Sequence, residues 1–390
     1  MLNHGLIWFG AAISISEILT GALIAPLGMK KGAIAILLGH LIGGIIFYLV
    51  GLIGARTSKN SMESVKLSFG KKGALFFSGL NILQLVGWTA VMIATGASVS
   101  NSIIKFESDL VWGGIIALLI IVWIIKDIKK MNKLNLFAMM TLFILTLFLS
   151  KIIFSGTPKE ILQSGITFGG AMELSIAMPL SWLPLISDYI WDAKKPKKAV
   201  LVSSVVYFIS SSWMYFIGMG VVIYTGSMDI AEIMKTAGFG IAGLFIIILS
   251  TVTTTFLDTY SSGVSATVIS NKITEKQGGV ATCIIAIILL MFTSTSQYES
   301  FLYLIGSVFA PMVAIQIADH FILGNDYTKD NLSLINMGIW LVGFILYRIF
   351  MKIETPIGNT VPVMIIVLIL TIIINKILRK EIRGVKDENN

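Results

Sequence analysis

Charge is what this chain has least of. Only 13% of its 390 residues are Asp, Glu, Lys or Arg, while 56% are hydrophobic. An ordinary soluble domain carries about 25% charge. A soluble chain this apolar would have too little polar surface to cover its core, so the composition excludes a soluble globular enzyme and a disordered protein. Thiols are nearly absent. Cys283 is the one cysteine, inside an apolar stretch, which excludes an intrachain disulfide and a thiolate metal cluster. The three histidines, His4, His40 and His320, are too scattered to build a metal site. The net charge of +8 does not point to nucleic acid, because the basic residues are spread between long apolar stretches and form no patch. Before the first apolar segment there is no Lys or Arg, so the signal-peptide n-region is missing and the first span is expected to stay in the mature protein.

Long apolar runs are what the chain does have, with a mean hydropathy of +0.88. A membrane-crossing helix needs roughly 20 mostly apolar residues. Twelve stretches qualify, at 6–27, 33–55, 74–104, 110–126, 134–154, 170–191, 198–225, 238–270, 279–295, 299–322, 332–350 and 360–379. The expected fold class is an all-α polytopic membrane protein. The third and eighth stretches exceed one bilayer crossing and should tilt or protrude. With an even number of spans, twenty-one of the 29 basic residues fall on the side that holds both termini. They include Lys71 and Lys72, the stretch Lys126 to Lys133, the run Lys194, Lys195, Lys197 and Lys198, and the tail from Arg379 to Lys386. The positive-inside rule then places both termini in the cytoplasm. These runs serve topology first. Lipid headgroup binding by the C-terminal cluster is a weaker alternative.

Two spans carry interruptions. Span 1 reads FGAAISISEILTGALIAPLG, with Ser14, Ser16, Glu17 and Thr20 at its middle. Span 6 reads MELSIAMPLSWLPLISDYIWDAKKP, where Pro179 and Pro184 each remove a backbone donor and clash with the preceding turn. Each could be a kink alone. Spans 1 and 6 are five apart, and paired interruptions at matching positions of two repeats mark transporter sites. Backbone freed at membrane depth survives only where it is buried in protein or lines a cavity.

Span 3 contains NILQLVGWTAVM, where Gln84 and Trp88 share a helical face. An amide beside an indole can bond the edge of a flat heterocycle and stack on its face, or the pair can serve helix packing. In span 8, Ser250, Thr253 and Thr254 lie on one face, with Thr255 adjacent. Hydroxyls joined by carbonyls of a broken helix suit a small hard cation such as sodium, and such runs also serve as small-residue packing surfaces. Ionisable groups inside membrane spans are functional suspects. Glu17 and Asp258 are the deepest here, Glu17 either touching substrate or pairing internally. Asp188 and Asp192 lie beside the basic run and could simply pair with Lys194 or Lys195, and Asp319, at the end of span 10, is expected at the membrane interface. Neither the single Asp of span 8 nor the scattered histidines supply an intramembrane enzyme, and no symmetric filter suggests a channel.

Together these residues resemble a known family. Ser181-Trp182 followed by Ser187-Asp188-Tyr189 in span 6, Gln84 with Gly87-Trp88 in span 3, and Thr253-Thr254 with Tyr260-Ser261-Ser262-Gly263 in span 8 resemble the nucleobase–cation–symport-1 permeases over residues 1 to about 325. The opening FGAAISISEILTG and the compact length look most like the hydroxymethylpyrimidine permease branch (CytX). The resemblance implies a five-plus-five inverted repeat of the leucine-transporter type, with repeats at 1–165 and 166–325 and two further helices and a tail at 326–390. It implies import of a flat heterocycle with a coupling cation, sodium or a proton, by a monomer in the cytoplasmic membrane. Carried residue by residue, Trp88 and Trp182 would stack on the ring. Gln84 and the Ser181 backbone would bond its edge, with Ser14, Glu17, Thr255 and Asp258 nearby. Ser250, Thr253 and Thr254 would hold sodium with carbonyls near Phe9 and Ala12. The longer Gln84 to Trp88 spacing, the Thr-Phe-Leu-Asp stretch after Thr254, and the acid at Glu17 depart from the cytosine permeases and argue against cytosine itself.

Overall fold

The computed structural model describes residues 2–126, 132–155, 157, 166–226, 240–291 and 298–388. Among them the regular structure is helical: α1 (Leu2–Ala12), α2 (Ile15–Ile24), α3 (Gly28–Thr57), α4 (Ser61–Ile103), α5 (Asp109–Lys126), α6 (Asn132–Ser155), α7 (Phe168–Ser181), α8 (Pro196–Thr225), α9 (Gly240–Ile269), α10 (Glu275–Leu290), α11 (Tyr298–Ile317), α12 (Leu334–Phe350) and α13 (Thr360–Glu388). The twelve apolar stretches account for all of them, because α1 and α2 are the two halves of the interrupted first span. Among the described residues, six segments are long and apolar enough to cross a membrane by length and composition alone. On α13 the exposed residues Ile365, Ile369, Ile373 and Ile377 form a stripe at intervals of four. Such a face calls for lipid, not water.

Both interruptions are real. The helix stops at Ala12 and resumes at Ile15, with Ser14 extended (φ −135°, ψ 160°) as the N-cap of α2. Glu17 stands in the first turn of that new helix, where a carboxylate complements the helix dipole. In span 6, Pro179 is accommodated inside α7 and the helix ends at Ser181. Pro184 cannot continue it, and a short 3-10 turn at Ile186–Tyr189 leads to α8.

One difference lies in span 3. The helix begins at Ser61, earlier than the apolar stretch, because Asn60 accepts a hydrogen bond from the Glu63 amide at 2.8 Å. It kinks at Gly70 (φ 73°). The amides of Lys71 and Lys72 then bond the carbonyls of Asp330 and Asn331 in the loop before α12. A hydropathy window cannot see this capped polar arm.

The helices pack in two groups. α1, α2, α3, α7 and α8 pack on one another, and so do α4, α5, α9 and α10. α11, α12 and α13 flank them, with α11 against α7. Close backbone approach fixes the first group internally. A Cβ on Gly218 of α8 would lie 1.9 Å from the Ile18 carbonyl oxygen, and one on Gly21 of α2 would lie 2.3 Å from that of Tyr215. Small residues let membrane helices touch in this way. Gly218→Val is therefore expected to cost about 1–3 kcal/mol through overpacking, read as a lower unfolding midpoint of the detergent-solubilised protein.

Candidate substrate and cation site

The two interruptions face each other across a cavity between the helix groups. From the first group it is lined by Ala11, Ser14, Ser16 and Glu17 of the α1–α2 break and by Met178, Ser181 and Trp182 of α7 and its end. Trp88 and Met92 of α4 and Thr254 and Asp258 of α9 line it from the second. The walls stand close, leaving room for about one water molecule, so a ring can seat only as the two groups separate.

The aromatic walls belong to different clusters. Trp182 sits edge-on to Trp8, with centroids 5.7 Å apart, and Trp8 in turn meets Phe47, Tyr189 and Tyr207 edge-on. Trp88 packs edge-on to Tyr298 and Phe301, at 5.8 and 5.5 Å. Each indole is thus held in place by rings behind it.

The two carboxyls of the cavity differ. Tyr207 donates to Glu17 Oε1 at 2.9 Å and Ser211 Oγ lies 2.7 Å from Oε2, both from α8. Behind Ser211, His40 Nε2 lies 2.7 Å from the same hydroxyl. Asp258 is 4% exposed and makes no hydrogen bond among the described residues.

The second break is braced from α4. Gln84 Nε2 donates to the Ser181 carbonyl at 3.2 Å and to Asn81 Oδ1 at 2.9 Å. Asn81 Nδ2 donates to the Pro184 carbonyl at 3.4 Å and to Ser265 Oγ at 2.9 Å. These two amides take up carbonyls that the helix end exposes. Gln84 and Thr255 are buried but do not line the cavity, and Gln84 Oε1 and Thr255 Oγ1 have no partner among the described residues. The other six sequence candidates, Ser14, Glu17, Trp88, Ser181, Trp182 and Asp258, come together on its wall.

At the first break, Ser250 Oγ approaches the Ile13 carbonyl at 3.3 Å and Thr254 Oγ1 approaches the Gly10 carbonyl at 3.4 Å. These carbonyls lie one residue beyond Phe9 and Ala12, whose oxygens accept from the amides of Ile13 and Ser14. Thr253 Oγ1 bonds back to the Ser250 carbonyl at 3.0 Å. Among the described residues no group of three or more His, Cys, Asp or Glu could hold a metal ion. The oxygen donors at the break are hydroxyls and peptide carbonyls.

Two acids behave differently from the sequence expectation. Asp188 accepts from the Ser61 amide at 2.8 Å, capping the start of α4, instead of pairing with Lys194 or Lys195. Asp319 is buried and accepts from Asn325 and Asn336. The donors come from outside the helix that carries each acid: the Ser61 amide meets Asp188 Oδ1, leaving Oδ2 without a partner among the described residues, and the Asn325 and Asn336 amides meet Asp319, which spacing along one helix does not reveal.

Residues 1–343 match the family described as permease for cytosine/purines, uracil, thiamine, allantoin. The chain belongs to this permease family. It is a membrane transporter and not an enzyme. The cytosine permeases of Escherichia coli O157:H7 and of Escherichia coli strain K12 are 25% and 24% identical to it over 325 residues, covering 81% of this chain and 75% of theirs. Its fold matches Mhp1, a nucleobase-cation-symport-1 family transporter, in a closed conformation with bromovinylhydantoin bound, with TM-score 0.81, 18% identity, and 97% of this chain and 92% of that one covered. The inward facing conformation of Mhp1 gives 0.78 at 17% identity, covering 97% and 90%. A Na+-coupled sialic acid symporter gives 0.67 at 16% identity, covering 95% and 87%. The permease therefore has the five-plus-five helix architecture with two added helices.

If Gln84 braces the break, Gln84→Leu leaves buried carbonyl and amide groups unmatched. The expected cost is about 1–3 kcal/mol, visible as a lower unfolding midpoint of the permease without any ligand. A mutant with unchanged stability would return Gln84 to ligand contact alone.

Proposed function

We propose that this permease imports a flat heterocycle, a pyrimidine such as hydroxymethylpyrimidine or a nucleobase, together with a cation by alternating access. The observation that carries the reading is the cavity between the two helix breaks, with Trp88 and Trp182 on opposite helix groups and Glu17 and Asp258 on its wall. Indole faces suit a flat ring, and carboxyls suit exocyclic amino and ring N–H groups. Ser14 and Ser181 add edge contacts, and Gln84 and Thr255 support them from behind. The cytosine permease relatives and the hydantoin-bound structural neighbour support a planar nitrogen heterocycle.

For the coupling ion we propose sodium at the first break. Its donors are Ser250, Thr253 and Thr254, with the carbonyls of Gly10 and Ile13 beside those of Phe9 and Ala12. A hard cation takes such oxygens, and it would draw together the two helix groups that supply them. Each ligand shifts the conformational equilibrium only by its differential affinity for the states. A proton carried on Glu17 or Asp258 is the second reading, favoured by the two carboxyls at the cavity. We further propose repeats at 1–165 and 166–325, a monomer that needs the lipid bilayer and no nucleic acid, and residence in the cytoplasmic membrane with both termini inside.

Each ring face contributes about 0.5–1.5 kcal/mol beyond the area it buries. Trp88→Ala and Trp182→Ala are each expected to weaken pyrimidine binding at least roughly two- to twelvefold, measured by titration calorimetry. Unchanged binding in both variants removes the assignment.

Uptake by the purified permease in liposomes is expected to rise with an inward sodium gradient and to lose that dependence in Thr254→Val. Uptake driven by a pH gradient and indifferent to sodium overturns the Ser250, Thr253 and Thr254 proposal.

A further inference from the structure

A chain of four side chains runs away from the cavity into the first helix group: Tyr207, Glu17, Ser211 and His40. All four are buried. Their hydrogens can be counted. His40 Nδ1 lies 3.0 Å from the Ile36 carbonyl, which can only accept, so Nδ1 carries a hydrogen. Tyr207 donates to Glu17 Oε1. What remains is Ser211 Oγ, 2.7 Å from Glu17 Oε2 on one side and 2.7 Å from His40 Nε2 on the other. Ser211 has a single hydrogen and cannot serve both contacts. With Glu17 ionised and His40 neutral, one of these two short contacts would have no hydrogen at all.

One added proton resolves the count, in either of two ways. In the first, Glu17 is the acid and donates to Ser211, which donates to His40 Nε2. In the second, His40 is imidazolium and donates to Ser211, which donates to the Glu17 carboxylate. We propose that Glu17, Ser211 and His40 form a one-proton relay behind the substrate cavity, and that a ligand N–H bonded to Glu17 draws the proton from Glu17 to His40. The proposal rests on the pyrimidine reading only for the ligand step. In that step the Glu17 O–H bond breaks as a Ser211 O–H bond forms. The original Ser211 O–H bond breaks as the His40 Nε2–H bond forms. No proton leaves the site.

Charge burial and free acceptor capacity set the direction. Without ligand the neutral pair is favoured, because two buried charges cost more than none. A carboxylate offers about four lone-pair positions, and Tyr207 and Ser211 occupy two. The remaining acceptor capacity belongs to a residue on the cavity wall. A donor there stabilises the ionised form and pulls the relay over. The other ionisable groups facing Glu17 and His40 are Tyr207 and Tyr215 of α8, whose Tyr215 ring lies 4.5 Å edge-on to His40, Tyr298 of α11 and, across the cavity, Asp258 of α9. Among the described residues Asp258 is the other carboxyl on the cavity wall, where a bound ligand would reach it first.

Infrared difference spectroscopy on the full-length permease in liposomes tests this in two arms. In the ligand-free protein, wild type minus Glu17→Gln is expected to show a carboxylic-acid C=O band. The Gln amide keeps the donor to Ser211 and the acceptor for Tyr207, so this variant retains the fold. The band is expected to shift in Ser211→Ala and to return in Ser211→Thr. In the second arm, hydroxymethylpyrimidine and, separately, cytosine are added while binding heat is followed by calorimetry. The acid band is expected to disappear in wild type and Ser211→Thr and to persist in Ser211→Ala. No acid band in the ligand-free difference overturns the relay. So does binding heat without loss of the band, or loss of the same band in Glu17→Gln, which would assign it to another buried carboxyl such as Asp258. Absence of heat with both pyrimidines overturns the substrate reading instead, and the ligand-free arm still decides the relay.

Discussion

Two helices stop at membrane depth, and each stop leaves peptide groups that lipid cannot satisfy. An unpaired carbonyl or amide in hydrocarbon costs several kcal/mol, so each stop needs partners from elsewhere in the chain. At the first, the carbonyls of Gly10 and Ile13 meet the hydroxyls of Thr254 and Ser250. At the second, the carbonyls of Ser181 and Pro184 meet the amides of Gln84 and Asn81. In each case the break sits in one helix group and the partner in the other. The requirement to satisfy broken backbone thus brings the two groups face to face, and the polar side chains needed for that duty wall the cavity or stand directly behind it.

Much of this was legible in the sequence. Apolar stretches locate helices because each spanning segment satisfies its own backbone, and Pro184 with the polar centre of span 1 marks where that fails. The face shared by Ser250 and Thr254 follows from helical period and needs no tertiary knowledge. What was not legible has a common cause. The register of the carbonyls, Gly10 and Ile13 instead of Phe9 and Ala12, depends on where α1 ends, and that is set by the extended backbone at Ser14. The positions of Gln84 and Asp188 depend on partners 97 and 127 residues away. His40 stands alone in an apolar span, and Ser211 is the middle of the serine run 210–212, one turn after Tyr207, with nothing in the sequence to single it out. They gain meaning only when the glycine contacts of Gly21 and Gly218 bring α2 against α8.

Those glycine contacts also decide what moves with what. Backbone touching backbone fixes Glu17 against Ser211 and Tyr207, while Asp258 and Trp88 belong to the opposite group. A carboxyl that travels with its hydrogen-bond partners keeps them through any relative motion of the groups. The carboxyl opposite it, without partners among the described residues, faces the cavity alone. The two acids bordering the same space therefore stand in different environments.

Hydrogen-bond lengths follow the same division between the groups. Within the groups the contacts around the site are short: 2.7 and 2.9 Å to Glu17, 2.7 Å from His40 to Ser211, 2.9 Å from Gln84 to Asn81. Between the groups, at the two breaks, they are longer: 3.3 Å from Ser250 to Ile13, 3.4 Å from Thr254 to Gly10, 3.4 Å from Asn81 to Pro184 and 3.2 Å from Gln84 to Ser181. Neutral bonds beyond 3.2 Å fall outside the usual range and are weak. Toward the end of span 6 that carries the lysine run, the crossing bonds tighten again. Tyr189 donates to the Leu257 carbonyl at 2.8 Å, and the Ser61 amide donates to Asp188 at 2.8 Å. The groups are therefore clamped at the lysine-bearing end and held only loosely at the level of the two breaks. Opening toward that end must break short bonds first, whereas the contacts at the breaks are already close to being given up, and a ligand that bridges them supplies what the protein itself has left weak.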